Sequence, residues 1–277
     1  MKKIGFIDYY LSEWHANNYP AWIRKACEEM GIEYEVAYAW GEIEVSPRDG
    51  VTNAEWCEKN GVALCGSMEE VCEKSDVLLI LAPSDPEKHL QYAKTALRYG
   101  KPTYIDKTFA PSLREAEEIF ALADRYGAPC FSTSALRYAS ELDRLTEAHN
   151  VITTGGGRSA EEYIVHQLEM IVKLLGCDAK AVKSEEQGKQ RVFRVAFENG
   201  AMATALYDAS FPFAVTVENR AGESRSESVT SSFFCVLISR ILGFYETGKT
   251  DFDRAETLTV MKLRERLLAA TDTWETM

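Results

Sequence analysis

Residues Asp76-Val77-Leu78-Leu79-Ile80-Leu81-Ala82-Pro83 form a continuous apolar run between an acid and a proline. A short run that is apolar at every position is typical of a central strand in a parallel sheet covered on both faces. Helix signals lie on both sides of it. Ser67 can cap a helix that begins at Met68, and a second helix opens at Pro86 and is closed by Gly100. The pattern predicts a buried strand between two helices.

The same alternation extends outward through the first half of the chain. The predicted strands are Lys3–Ile7, Glu35–Ala39, Val62–Leu64, Val77–Ala82, Thr103–Ile105 and Pro129–Ser132. The predicted helices are Tyr19–Met30, Asn53–Lys59, Met68–Lys74, Pro86–Tyr99 and Leu113–Tyr126. Strands that alternate with helices in this way predict a doubly wound parallel sheet with helices on both faces.

The pattern changes after Thr133. The predicted helices there are Tyr138–Ala148, Ala160–Leu175, Phe233–Glu246 and Arg254–Ala269. The predicted strands are Ala181–Glu185, Arg191–Glu198, Ala201–Ala209 and Phe213–Asn219. We therefore predict an α/β domain over residues 1–133 and an α+β domain with an open antiparallel sheet over residues 134–277.

Composition limits the class of protein. A chain of 277 residues exceeds what one core usually serves, which favours two domains. A net charge of −12 argues against nucleic acid and anionic membranes as partners. Asp8 ends the N-terminal apolar run after a few residues, so we expect a cytoplasmic protein without a signal peptide. The seven cysteines contain no CxxC pair, and we expect them to be reduced and structural, with no metal site.

Three strand ends are the candidate ligand site, because ligands bind outside the carboxyl ends of parallel strands. The chain leaves these strands through Asp8-Tyr9-Tyr10, Pro83-Ser84 and Asp106-Lys107. A lysine in such a cleft can donate a hydrogen bond to a substrate hydroxyl or carbonyl and act as an acid or base. The alternative for Lys107 is a surface lysine paired with Asp106.

A second group of polar residues lies on the predicted helix 160–175. Glu162, His166 and Glu169 share one helix face by their spacing, and Tyr163 lies beside them. His166 can act as an acid or base with a carboxylate that orients it. Two other interpretations are a water-facing polar side of an amphipathic helix and a metal site, although only one imidazole is present.

The stretch from Asp76 to Tyr138 resembles the Gfo/Idh/MocA oxidoreductases. The matching features are the apolar strand ending at Pro83, His89 eleven positions before Gly100, and Asp106-Lys107 in place of the family's Glu-Lys-Pro. Further along, the glycines at 155–157 followed by Glu162, His166 and Glu169 resemble the family's glycine run, acid and histidine. The order of these motifs, more than any one of them, carries the resemblance.

The resemblance implies a Rossmann domain that binds NAD or NADP, and hydride transfer on a carbon of a sugar- or cyclitol-like substrate. It implies Lys107 and His166 as acid/base groups with Glu162 in support, and a homodimer or homotetramer built on the open sheet. The implied substrate residues are Arg137, Tyr163 and Glu169. The implied cofactor-binding residues are Ile7, Asp8, Tyr9, Tyr10, Trp40, Ala82, Pro83, Ser84, His89, Asp106 and Lys107.

The chain departs from the family at three places. The first turn lacks the GxGxxG glycines that let a backbone approach a pyrophosphate, and Asp8 and Glu13 add negative charge there. The residue in place of the ribose carboxylate is near Trp40; Glu42 can substitute, which favours NAD over NADP. Thr108 replaces a proline, so we expect a trans peptide after Lys107.

Two functions of different classes remain open at this point. The first is an NAD(P)-dependent oxidoreductase, which could also use the cofactor transiently in a redox-neutral elimination or hydrolysis. The second is a relative that has lost dinucleotide binding and serves as a ligand-binding or regulatory protein. The retained Lys107, Glu162 and His166 favour the first function, and the altered first turn favours the second.

Overall fold

The computed structural model describes all 277 residues, from Met1 to Met277. The strands are β1 (Lys2–Asp8), β2 (Tyr34–Gly41), β3 (Ala63–Leu64), β4 (Val77–Ile80), β5 (Thr103–Ile105), β6 (Cys130–Phe131), β7 (Ala148–Gly155), β8 (Ala179–Gln187), β9 (Gln190–Phe197), β10 (Met202–Tyr207), β11 (Ala214–Asn219), β12 (Ser224–Ser228) and β13 (Glu275–Thr276). The α-helices are α1 (Trp14–Met30), α2 (Asn53–Asn60), α3 (Met68–Lys74), α4 (His89–Ala96), α5 (Leu113–Tyr126), α6 (Ala160–Leu175), α7 (Phe233–Thr247) and α8 (Arg254–Ala269).

The first compact unit contains a six-stranded parallel sheet in the order β3-β2-β1-β4-β5-β6. This is the doubly wound order of a Rossmann sheet, in which the strand order reverses between β1 and β4. Every residue of β4 is buried, as its continuous apolar run predicted. The predicted fold class of this half of the chain is confirmed.

Helix capping residues explain most of the helix starts in this unit. The Ser67 and Ser112 hydroxyls accept hydrogen bonds from the amides of Glu70 and Glu115, so α3 and α5 begin where the sequence predicted. Helix α1 begins at Trp14, and the prediction of a start at Tyr19 was wrong. The cause is Glu13, whose side chain caps the helix five residues earlier than the apolar pattern indicated.

The second unit contains a seven-stranded sheet in the order β12-β11-β7-β10-β9-β8-β13. Its neighbouring strands are antiparallel except for β7 and β10, which pair in parallel, so the predicted antiparallel sheet is in fact mixed. The predicted helix at Tyr138–Ala148 was wrong. That segment forms short 3₁₀ turns at Ala135–Tyr138 and Leu142–Arg144 and then enters β7, where pairing with β10 and β11 on both sides overrides the local pattern.

The two units are not two continuous halves of the chain. The first comprises Met1–Ser132 and Cys235–Asp251, and the second comprises Thr133–Phe234 and Phe252–Met277. Most of α7 therefore belongs to the first unit, whereas the sequence assigned it to the second domain. Long-range contacts account for this, since the Tyr245 hydroxyl donates to the Leu78 carbonyl at 2.7 Å and Tyr34 donates to Glu246 at 2.5 Å. None of the helices has both the length and the apolar character needed to cross a membrane.

Candidate functional site

Lys107 follows the end of β5, at the carboxyl edge of the parallel sheet. Its side chain is not a surface group: the residue is 8% exposed, and its ammonium donates a hydrogen bond to the Pro83 carbonyl at 3.0 Å. The strand end after β4 therefore fixes the lysine that follows β5. The peptide between Lys107 and Thr108 is cis, so the expectation of a trans bond was wrong; that expectation used only the local preference of a bond without proline.

Asp106 is held in a buried network beneath this lysine. The residue is 1% exposed; it accepts hydrogen bonds from the Tyr104 hydroxyl at 3.1 Å and from the Lys107 amide at 2.9 Å, and it contacts Nδ1 of His15. Burial opposes its ionisation, but His15 and Lys107 hold the pKa of Asp106 below its usual range. The His15 ring is in turn stacked on Tyr19, with centroids 5.2 Å apart. Asp106 therefore acts as an ionised anchor for the strand end.

Asp8 ends β1 beside β4. Its Oδ1 accepts hydrogen bonds from the amides of Tyr9 at 2.7 Å and Ala82 at 3.0 Å, whereas its Oδ2 is buried without a hydrogen-bond partner. Burial and the nearby charge of Glu13 raise the pKa of Asp8 well above its usual range. Ala82 reaches this position through a left-handed backbone with φ of 54°, which is uncommon for a residue with a side chain.

Glu13 closes the turn between β1 and α1. Its buried carboxylate accepts hydrogen bonds from the first amides of the helix, those of His15 at 2.8 Å and Ala16. Burial raises the pKa of Glu13. A dinucleotide pyrophosphate needs these same helix amides and a turn without side chains. The turn from Asp8 to Glu13 does not fit a pyrophosphate bound in that way.

The remaining residues expected near a cofactor are mostly engaged with the protein. His89 is fully buried, with Nε2 2.6 Å from the Leu81 carbonyl and Nδ1 3.1 Å from the Phe109 carbonyl, and burial lowers its pKa. It therefore ties the end of β4 to the segment after β5. Ile7 is buried in β1, and Ser84 is exposed.

Glu42, which directly follows β2, lies in a polar patch at the edge of the sheet. Glu42 accepts hydrogen bonds from the Lys88 ammonium at 2.5 Å and from the Tyr92 hydroxyl at 2.6 Å. Burial acts against its charge, but these two hydrogen bonds lower the pKa of Glu42. Trp40 packs edge-on against Tyr92, and the Lys88 ammonium lies over the Tyr9 ring, which in turn contacts Tyr10. The Lys88 ammonium is thus paired with Glu42, the candidate ribose carboxylate, and the sequence did not indicate this pair.

The second unit holds His166 on α6. Its Nδ1 lies 2.7 Å from the Ser134 hydroxyl, and the rings of Tyr163 and Phe213 are 5.5 and 5.7 Å from its ring. The residue is 7% exposed, so it is not on a water-facing side of the helix. Glu162, expected to support it, forms a bidentate pair with Arg158 at 2.8 Å. Ser134 is the partner that the sequence missed, because no motif marks a serine 32 residues upstream.

Glu169 and Arg137 form a buried ion pair in the same unit. Glu169 accepts hydrogen bonds from the Ser134 amide at 3.0 Å and the Thr133 hydroxyl at 3.1 Å, while burial raises its pKa despite the guanidinium beside it. Arg137 lies 3.5 Å from Glu169, also pairs with Glu256, and its guanidinium is centred 4.0 Å over the Phe252 ring. These contacts hold the segment that carries Ser134 against His166, which is a positioning role.

Comparison with known sequences identifies one family. Residues 43–134 match the family described as "Oxidoreductase family, NAD-binding Rossmann fold" (GFO_IDH_MocA). The match begins after the turn that carries Asp8 and Glu13. The chain is also 40% identical over 60 residues to the uncharacterized oxidoreductase YhhX of Escherichia coli K12, a match that covers 22% of this chain and 17% of that protein.

Solved structures show the same fold at low sequence identity. A crystal structure of YhhX superimposes with a TM-score of 0.71 at 16% identity, over 100% of this chain and 99% of that one. GenD2 from gentamicin A biosynthesis, in complex with NAD, gives 0.79 at 11% identity, over 100% and 97% of the two chains. UDP-N-acetylglucosamine 3-dehydrogenase GnnA from Acidithiobacillus ferrooxidans gives 0.73 at 12% identity, over 97% of each chain.

Proposed function

We propose that the chain is an oxidoreductase of the Gfo/Idh/MocA type, acting at a hydroxyl-bearing carbon of a sugar- or cyclitol-like compound. The family match over residues 43–134 supports this proposal. Lys107 and His166 are the proposed acid/base groups, which are the roles that the family resemblance gives them. Ser134 orients the His166 ring, and the pair of Glu169 and Arg137 fixes Ser134. Glu162 is not the main partner of His166 in this proposal, because its carboxylate is paired with Arg158.

The setting of Lys107 is the observation that carries this proposal. The lysine is nearly buried at the ligand-binding edge of the sheet, and its one described side-chain hydrogen bond goes to the Pro83 carbonyl. An ammonium group has three donors, so it retains the capacity to donate to a substrate oxygen. Its backbone is fixed by the hydrogen bond to Asp106. A lysine held in this way is pre-oriented for proton transfer.

We propose NAD rather than NADP as the cofactor, on the ground of the residue after β2. Glu42 places a carboxylate there, which favours ribose hydroxyls and repels a 2′-phosphate. Lys88 compensates part of that charge at 2.5 Å, so we expect the preference to be modest. The turn from Asp8 to Glu13 is not part of the proposed cofactor site.

Cofactor binding tests the proposal most directly. Four of the five tryptophans lie in the first unit, so energy transfer from tryptophan to bound NADH or NADPH should be strong. We expect saturable binding of NADH that is tighter than that of NADPH. Absence of binding by both cofactors at millimolar concentration would overturn the proposed oxidoreductase.

Two lysine variants separate a role in turnover from a role in folding. Lys107→Ala should abolish NADH formation across a panel of aldoses and inositols while leaving NADH affinity unchanged. Lys101→Ala is the matched control, because Lys101 precedes the same strand and its ammonium also donates to backbone carbonyls away from the ligand edge, those of Cys72, Glu73 and Ser75. Equal turnover by the two variants would remove Lys107 from the proposed mechanism.

A second function is supported by the turn between β1 and α1. Because Glu13 fills the helix amides and Asp8 adds a buried carboxyl, the chain can instead be a relative that binds a small ligand without a dinucleotide. The same titration distinguishes the two functions. Failure of NADH and NADPH to bind to the folded protein is the outcome that this second function requires.

A further inference from the structure

The start of α1 differs chemically from the other capped helices of its unit. Helices α2, α3 and α5 are capped by the hydroxyls of Thr52, Ser67 and Ser112. Helix α1, which is 17 residues long, is capped by the carboxylate of Glu13. A long helix carries partial positive charge on its first amides, which favours an anion at that end. In this chain the anion is part of the protein.

The carboxylate is placed as a bound phosphate oxygen would be. Its two oxygens accept from consecutive helix amides, one from His15 and the other from Ala16. The Glu13 side chain is buried, so solvent does not compete for these contacts. An external anion can reach the same amides only if this carboxylate leaves them.

The surroundings add to the exclusion of a second anion. Asp8 and Asp106 are each 1% exposed and act electrostatically on Glu13 or on each other. His15 is the partner of Asp106, so its ring is already committed. Like charges at short range in a buried setting repel each other more strongly than in water. A phosphate brought to this turn would meet carboxyl groups where the family has glycines.

We propose that Glu13 is an internal anion that occupies the phosphate subsite at the start of α1 and thereby excludes nucleotide phosphates from the β1–α1 turn. The subsite itself is intact beneath it, formed by the amides of His15 and Ala16. Removing the carboxylate should therefore create phosphate binding at this turn, where the natural protein has none. This inference does not depend on whether the chain is an oxidoreductase, since it concerns phosphate binding alone.

The test uses ADP-ribose, which carries the pyrophosphate but no nicotinamide, and measures its affinity by calorimetry. Glu13→Ser keeps a good capping hydroxyl and removes the carboxylate, so the helix start is preserved. We expect it to bind ADP-ribose at least about tenfold more tightly than the natural protein. Glu13→Gln removes only the charge and should fall between the two.

Asp253→Ser is the matched control, because Asp253 caps α8 in the second unit with a carboxylate that accepts from the Ala255 amide at 2.8 Å. It should leave ADP-ribose affinity unchanged. Circular dichroism and thermal melts verify that each variant is folded. Equal affinity of Glu13→Ser and the natural protein, whether both bind or neither does, would overturn the proposal. Failure of the NADH titration with success here would remove the oxidoreductase and leave this inference standing.

Discussion

Two turns lead from a strand into a long helix, and they are built from opposite kinds of residue. The turn from Asp8 to Glu13 contains no glycine and joins β1 to α1. The turn from Gly155 to Ser159 begins with three glycines and joins β7 to α6. Judged by glycine content alone, an anion-binding turn is more compatible with the second position than with the first.

The structure shows that neither turn is an open cradle. At the glycine turn the space that side chains would take is filled by the protein: the Tyr163 ring lies over Gly157, and the Phe213 ring over Gly155. At the first turn the helix amides are taken by Glu13. The comparison shows that glycines can allow close packing of side chains, and that a side chain of the protein itself can occupy the first amides of a helix.

The largest expected effect comes from Gly156→Ala in the glycine turn. A Cβ at this position would overlap the Asp208 carbonyl and lie 2.8 Å from the Ala209 carbonyl, and backbone atoms cannot move aside as a side chain can. Overpacking of this kind costs roughly 1–3 kcal/mol and occasionally more. We expect the free energy of unfolding from urea titration to fall by about 3 kcal/mol, the upper end of that range.

Gly243→Ala is its control, since no atom lies within 4 Å of a Cβ at that position in α7. Alanine is the better helix former by about 1 kcal/mol, so this variant should be slightly more stable than the natural protein. A loss of stability in Gly156→Ala no larger than about 0.5 kcal/mol would mean that the turn is not packed as described.

The next effect concerns a carboxylate that accepts backbone amides in the second unit. Glu141 accepts from the Thr230 and Ser231 amides at 2.9 and 2.8 Å and from the Ser231 hydroxyl at 2.6 Å. Burial acts against its charge, but these hydrogen bonds lower the pKa of Glu141 to about 2. A group whose pKa is lower in the folded than in the unfolded protein stabilises the fold at pH values above its unfolded-state pKa. This stabilisation is lost as the pH falls through the folded-state pKa.

Glu141→Gln should therefore be less stable than the natural protein at neutral pH, by about 2–3 kcal/mol. The difference should shrink as pH falls below the ordinary glutamate range towards the pKa of about 2. Urea midpoints measured from neutral to acid pH give the result. A difference that does not change with pH would show that Glu141 contributes through packing and not through its charge.

The first unit could be predicted in outline because its signals are local. The apolar run at 77–82, the capping serines at 67 and 112, and the glycines that close helices all act within a few residues. Asp106-Lys107 was likewise placed at a strand end by the alternation of elements alone. These features do not depend on which distant segment packs against them.

The features that could not be predicted from the sequence depend on contacts with residues far away in the chain. Strand β7 was not predicted, because its place in the sheet is set by β10, whose Met202 pairs with Asn150. The contact of His15 with Asp106 joins residues 91 positions apart. The early start of α1 depended on Glu13 acting as a cap, a role that serine, threonine, aspartate and asparagine fill more often.

The smallest expected effect is on Glu13 itself, and it should have the opposite sign with pH from that of Glu141. Burial raises the pKa of Glu13 in the folded protein. Its contribution to stability is therefore fully present at pH values below its unfolded-state pKa, and it is lost as the pH rises through its folded-state pKa. Glu13→Gln avoids the cost of burying the charge but makes a weaker cap. We expect its stability to stay within about 1 kcal/mol of the natural protein at neutral pH.

The pH dependence of that small difference is the sharper measurement. From acid to neutral pH, Glu13→Gln should gain stability relative to the natural protein, whereas Glu141→Gln should lose it over the same titration. Both carboxylates accept hydrogen bonds from two backbone amides. An equal pH dependence of stability in the two variants would therefore mean that these hydrogen bonds alone set the contribution of each carboxylate. Opposite slopes would show that Glu13 is kept at the start of α1 at a cost to the fold, as expected of a group whose role is to occupy the phosphate subsite.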